Sequence, residues 1–309
     1  MKRVLAVWVL VANASGACGQ DLFSGSEPVT FTRMQSVAPS HHVHGYPVPS
    51  LGSPASLLHV TSTQSTGVAI PIPIGRVYTV DIREKKFFSM MEMRANLAQS
   101  NMADWVEEPC KREDFIWKRS TGGKFSNINC ATINHLTRYF HAPTGVFQDF
   151  YRQFKELGVE IPPTVLAIDF ARFTGGGRLL GYRFIVNPEV FGLDRDVEPV
   201  WGASGWHKQS SLKDPKKAEL LANLARWATD FQDRIDAAFD KKRDAFGNVP
   251  PLTSYFAQFA AANKTATGAG DSAMSKTESR LRSLKDLFEK KLITEQQYKE
   301  QVEAEFANK

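Results

Sequence analysis

Residues 165–186, VLAIDFARFTGGGRLLGYRFIV, decide the fold. Two apolar runs, 165–170 and 179–186, flank Gly175-Gly176-Gly177. In the second run Leu180, Tyr182, Phe184 and Val186 alternate with Gly181, Arg183 and Ile185. A period of two around a glycine turn is the signature of a β-hairpin. Arg172 and Arg183, with Asp169, are placed on facing strands, where they can form a cross-strand ion network.

Working outward, the same pattern recurs upstream. Residues 76–94 (RVYTVDIREKKFFSMMEMR) read as one or two strands with a charged turn at 83–86. Residues 57–61, 115–118 and 128–139 are further strand candidates, with Thr121-Gly122-Gly123 as a turn, and 101–112 reads as a short helical or irregular segment. Two helices interrupt the strands. Over 143–157, Phe147, Phe150, Tyr151, Phe154 and Leu157 share one face, and Gly158 stops the run. A longer helix starts at Asp214, an N-cap residue followed by Pro215 at the first helical position. Its stripe is Leu220, Leu224, Trp227, Phe231, Ile235 and Phe239. The predicted fold class is α+β: an antiparallel sheet packed by two main amphipathic helices over 76–245, plus a C-terminal two-helix hairpin.

The flanks differ in composition. Residues 18–75 carry only Asp21, Glu27 and Arg33 as formal charges and hold seven of the sixteen prolines, so they read as an extended Pro/Ser-rich tether. Residues 246–275, with Pro250-Pro251 and then Ala, Gly, Ser and Thr, read as a second linker. At 309 residues, 42% hydrophobic and 23% charged, the whole is globular in composition. The net charge of +5 is spread along the chain, so nucleic acid is not an expected partner.

The N-terminus reads as an export address. Lys2 and Arg3 precede the apolar run VLAVWVLVA (4–12), and the small residues Ala14, Ser15, Gly16 and Ala17 follow. That order is the order of a secretory signal peptide, here 1–17, and the run is too short to span a bilayer. Two cleavage sites compete. Ala12-x-Ala14 places the cut before Ser15. Ser15-Gly16-Ala17-Cys18 resembles a bacterial lipobox, with Ser15 where that pattern carries an aliphatic residue; it implies lipidation of Cys18 and a membrane anchor. The expected location is the periplasm or a membrane of the bacterial envelope. Setting Cys18 aside leaves Cys110 and Cys130, which in an oxidising compartment form a disulfide or else remain two buried thiols.

Residues 276–306 form a compact helical hairpin. Leu281, Leu284, Leu287 and Phe288 make one apolar face; Thr294 and Gln297 form a capping box; Tyr298, Val302 and Phe306 continue the second helix. Residues 281–301 (LRSLKDLFEKKLITEQQYKEQ) resemble a SHOCT domain, with Lys291 replacing the usual turn glycine. The resemblance implies oligomerisation or docking, which places Leu284, Phe288, Ile293, Tyr298 and Val302 at a self-association or partner surface. About 30 residues cannot build a sufficient core, so these faces need cover from elsewhere.

Catalytic signatures are sparse. Gly122-Gly123-Lys124 is followed by Phe125 and fails as a phosphate loop. Gly202-Ala203-Ser204-Gly205 fails the spacing of a serine elbow. His41, His42, His44 and His59 fall in the proline-rich stretch, and no metal or cofactor is implied. The most unusual loop is 201–208, where Trp201, Trp206, His207 and Lys208 offer a ligand cleft with His207 as a weak catalytic candidate, an acid or base. Two functions follow: a non-enzymatic envelope binding or structural protein with an associating tail, or a periplasmic enzyme built on the His207 loop.

Overall fold

The computed structural model describes residues 21–24, 27–28, 41–50, 56–64, 72–98, 109–122, 127–141, 146–175, 177–247 and 249–252, and isolated positions of the tail between 281 and 303. The signal segment, Cys18 and Ile293 lie outside the described residues.

The strands in chain order are β1 (Phe23–Ser24), β2 (Glu27–Pro28), β3 (His42–Val43), β4 (Tyr46–Pro47), β5 (Ser56–Gln64), β6 (Pro73–Arg83), β7 (Lys86–Asn96), β8 (Trp117–Ser120), β9 (Asn127–Thr137), β10 (Thr164–Thr174) and β11 (Arg178–Val186). The helices are α1 (Val146–Glu156), α2 (Lys208–Ser211) and α3 (Pro215–Phe239). Strands β5 to β11 form one antiparallel sheet in the order β5-β6-β7-β11-β10-β9-β8. It is two meanders joined where β11 lies against β7. The β6–β7 turn places Glu84 and Lys85 at positive φ, as a two-residue hairpin matched to strand twist requires. The α+β class is therefore shown. Among the described residues no helix is long and apolar enough to cross a membrane.

Alternation along the strands divides the sheet into two faces. One face carries Val77, Met91, Met93, Ile133, Ile168, Phe170, Tyr182 and Phe184, in one cluster with the α3 stripe. Phe231 of α3 lies 4.5 Å from Phe170 and Trp227 lies 4.9 Å from Phe184, ring centre to ring centre. Asp214 caps α3 by accepting from the amides of Lys216 and Lys217. On the opposite face Phe150 and Phe154 of α1 bury Tyr78, Val80, Phe87, Met90 and Ile185. A third cluster at the far end of that face joins Ile74, Ile128, Phe173 and Leu179 to Cys110 and Cys130. These two cysteines form a disulfide, with Cα atoms 6.0 Å apart.

The tether expected over 18–75 needs correction where it is described. Leu22, Val43, Tyr46 and Val48 are buried in the main core, and Tyr182 donates its hydroxyl to the carbonyl of Pro47 at 2.8 Å. Strand β5 pairs with β6 along its whole length. Few charges and many prolines signal an extended chain, but an extended chain also suits the edge of a sheet, where proline is tolerated. The linker expected from 246 likewise begins inside the core: Phe246 stacks on Phe231 at 4.4 Å, and Trp227 Nε1 donates to the carbonyl of Pro250 at 3.0 Å.

In the tail, Leu284 is 4% exposed and joins the main core cluster, with Tyr298 and Val302 partly buried against it. Phe288 is 37% exposed and stacks on Tyr298 at 5.1 Å.

Candidate functional site

The 201–208 loop closes the end of β9 on the α3 side. Trp201 stacks on His135 of β9 at 4.9 Å, and two hydrogen-bond contacts lock the pair: Trp201 Nε1 to the His135 carbonyl at 3.2 Å, and His135 Nε2 with the Trp201 carbonyl at 3.0 Å. His207 meets the Trp201 ring edge-on at 4.8 Å. Its Nδ1 accepts from the Gln209 amide at 3.4 Å as the N-cap of α2. Trp206 is fully buried under Lys217, whose Nζ donates to the carbonyl of Gly205. Lys208 reaches the carbonyl of Glu113. Burial lowers the pKa of His135, whose Nδ1 is buried without a partner. The arrangement is a plug: the aromatic rings fill the sheet–helix junction, and His207 Nδ1 is engaged in the α2 cap.

Chemistry is denser on the other face. Strand register aligns one polar residue per strand across all seven strands: His59, Tyr78, Glu92, Arg183, Asp169, Thr132 and Lys118. The adjacent row runs Thr61, Arg76, Arg94, Gly181, Ala171, Cys130 and Ser120. Within these rows Arg76 Nη1 bonds Glu92 Oε1 at 2.6 Å, and Arg183 Nε bonds Asp169 Oδ1 at 2.6 Å with Nη2 on Oδ2 at 3.3 Å. Tyr78 OH donates to Glu92 at 3.4 Å. Glu92 keeps 4% of its side chain exposed, so the Arg76–Glu92 pair is buried on its carboxylate side. Asp169 raises the pKa of Arg183, and burial raises that of Tyr78. Burial also pushes Tyr139 up to about 12, against the opposing influence of the neighbouring Arg183.

Apolar banks border this polar trench. On one side stand Val80, Met90 and Ile185 beneath α1; on the other stand Ile74, Phe173 and Leu179. Gly181 makes the floor low between them, and its neighbour Ala171 is packed into the second bank with Cys110 and Cys130. A Cβ on Gly181 would lie 2.8 Å from Arg94 Nε, so the Arg94 side chain rests directly on this glycine.

Of the sequence candidates, Arg183 and Asp169 meet directly across the strands, whereas Arg172 points to the α3 face, where its Nε bonds Asp236 at 2.5 Å. Trp201 and His207 come together, with Trp206 and Lys208 turned to separate partners. Among the described residues no three metal-type ligands converge. His42 lies 3.6 Å from Asp21, and His59 packs on Phe150. Sequence reading missed Arg76, Glu92 and Arg94. Their signal was available: Arg76 precedes the apolar Val77 in β6, and Glu92 and Arg94 alternate with Met91, Met93 and Ala95 in β7. A separate hollow of about 320 Å3 lies between Pro47, Val48, Trp227, Phe246 and Leu252, lined chiefly by apolar groups. Comparison of the chain with protein-family models, with curated proteins and with solved structures finds no match.

Proposed function

We propose that this is an exported protein of the bacterial envelope with a binding or structural role rather than a catalytic one. The single observation that supports it most is the Cys110–Cys130 cross-link. Such bonds persist in oxidising compartments and are rare in the cytosol, and residues 1–17 supply the matching address. In this reading the two amphipathic helices, α1 and α3, hold the sheet as a rigid platform. The SHOCT-like tail docks or oligomerises through its apolar residues. Leu284 is already taken up by the body and Tyr298 and Val302 pack partly against it, so among the described tail residues Phe288 is the large apolar side chain most available to a second copy or a protein partner.

Fractionation of expressing cells with intact-mass analysis tests export. The mature chain should start at Ser15 or at a lipid-modified Cys18, and non-reducing peptide mapping should recover the linked cysteine peptides. A full-length cytosolic chain with two alkylatable thiols overturns the reading. For the tail, deletion of 276–309 should lower the oligomeric mass seen by light scattering. An unchanged monomer before and after deletion, with no protein partner recovered, removes the association claim.

A further inference from the structure

We propose that the trench over Gly181 is a binding site for an oxyanion, a carboxylate or phosphate group, with Arg94 as its principal contact and Arg76 and Arg183 at its sides. The inference stands apart from export and from the tail.

Three guanidiniums and two carboxylates occupy the central strands of the two polar rows. Glu92 serves Arg76, and Asp169 serves Arg183. Among the described residues no carboxylate is left for Arg94. Register sets Arg94 directly opposite Arg76 on the neighbouring strand, and like charges so placed repel. Arg94 lies over Gly181, away from Arg76, and is held flat against the floor where any larger residue would displace it. It is half-buried, so water does not fully replace a counter-charge. Arg76 commits Nε to Thr63 and Nη1 to Glu92, and Arg183 commits Nε and Nη2 to Asp169, with the hydroxyls of Tyr78 and Tyr139 also beside these two guanidiniums, so Arg94 is left as the one whose whole fork is uncommitted among the described residues. A planar or tetrahedral oxyanion on the solvent side of Arg94 would take its fork two-toothed and balance the excess positive charge. The two existing ion pairs fix the flanking arginines in place beforehand, which reduces the ordering cost of binding. The aromatic bank of Tyr78, Tyr139 and Phe147, with ring centres 4.9 to 6.2 Å apart, suits an anion carried on an apolar body.

The full mature chain, isotope-labelled at nitrogen, is titrated with inorganic phosphate at constant ionic strength. The Arg94 Nε–H signal should move saturably. Arg94→Gln should weaken phosphate at least tenfold, and Arg112→Gln, an exposed arginine paired with Asp114, should leave it unchanged. If Arg94→Gln does not fold, Arg94→Lys keeps the charge without the fork and should still bind several-fold more weakly. No saturable shift in the wild-type protein, or equal affinity in the Arg94 variant, overturns the proposal. Sedimentation with phosphatidylglycerol vesicles, set against neutral phosphatidylcholine vesicles, separates the sources. Arg94-dependent capture beside the phosphate response assigns a lipid headgroup; a phosphate response without capture assigns a free anion.

Discussion

The two faces of the sheet are made by the same strands and are stabilised differently. Toward α3, Phe170, Tyr182 and Phe184 interlock with Trp227 and Phe231, and polar groups lie at the margins, where Arg172 meets Asp236 and Arg119 meets Asp233. Toward α1, the apolar contacts split into two clusters with charged rows between them. One face is a continuous and mainly apolar core, with Gln232 and Asn129 hydrogen-bonded to each other within it. The other encloses ion pairs that a purely structural sheet would replace with leucine or valine at no loss of stability. Uniform packing marks the α3 face as the source of stability, and the retained charges mark the α1 face as the place to look for binding.

That contrast is broken most forcefully from the α3 side. Phe231→Ala removes a ring in contact with Phe170, Tyr182, Phe184 and Phe246. It should cost about 4 kcal/mol in a denaturant melt, as large aromatic truncations in cores do. A loss below about 1 kcal/mol would mean that α3 does not seal this face. Next in size is the disulfide. It closes a sequence separation of 20 residues, so replacing both cysteines with alanine should cost about 3 kcal/mol on the chain-entropy model. The same loss should appear in the unmodified protein on adding reductant, and an unchanged melting midpoint would show that the bond is not formed.

The charged side should give smaller numbers and a directional difference. Arg183→Ala strands Asp169 in the trench. Both side chains keep somewhat over a quarter of their surface exposed, so solvent screens the pair and the expected cost is about 1–2 kcal/mol, below that of a fully buried pair. Arg172→Ala, on the other face, strands Asp236, which is 62% exposed; the expected cost is about 1 kcal/mol or less. Equal losses at the two arginines would erase the distinction between the faces.

Most of the sheet was legible in the sequence because its signals are local. The alternation in 179–186 and the cap and stripe of α3 need only a few neighbouring residues to be recognised. The N-terminal contribution was not legible, because Leu22, Val43, Tyr46 and Val48 are isolated apolar residues in a polar, proline-rich stretch, and only the tertiary partners Tyr182 and Phe239 give them a place. The polar rows were legible in parts and not as a whole. Each strand shows its own alternate charges, but the row across seven strands exists only once the order β5-β6-β7-β11-β10-β9-β8 is known. Asp169 and Arg183 were found together because they share one hairpin; Glu92 and Arg94 belong to a strand that meets that hairpin through a non-local pairing. Trp201 and His207 attracted attention by composition, and the partner that explains them, His135, lies on a distant strand.

His135 is a buried titratable group on the α3 face, and it yields the smallest effect. Burial lowers its pKa from the usual 6.5, against the opposing influence of the Trp201 carbonyl. In the unfolded chain the imidazole therefore takes up a proton at a pH where the folded protein still holds it neutral. The unfolded state binds more protons in that window, so stability rises with pH there. The contribution of neutral His135 is fully present above about 6.5 and is lost as the pH falls toward the folded value. His44, His59 and His141 are shifted in the same direction by burial, so the whole protein should lose stability on acidification from pH 7 toward 5, in addition to any carboxylate effect. His135→Gln keeps a donor for the Trp201 carbonyl but cannot titrate. The difference in midpoint between wild-type and variant should shift in the variant's favour as the pH drops. A constant offset between wild-type and His135→Gln across the range would show that His135 charges freely in the fold, and that the 201–208 loop opens to water instead of sealing the end of β9.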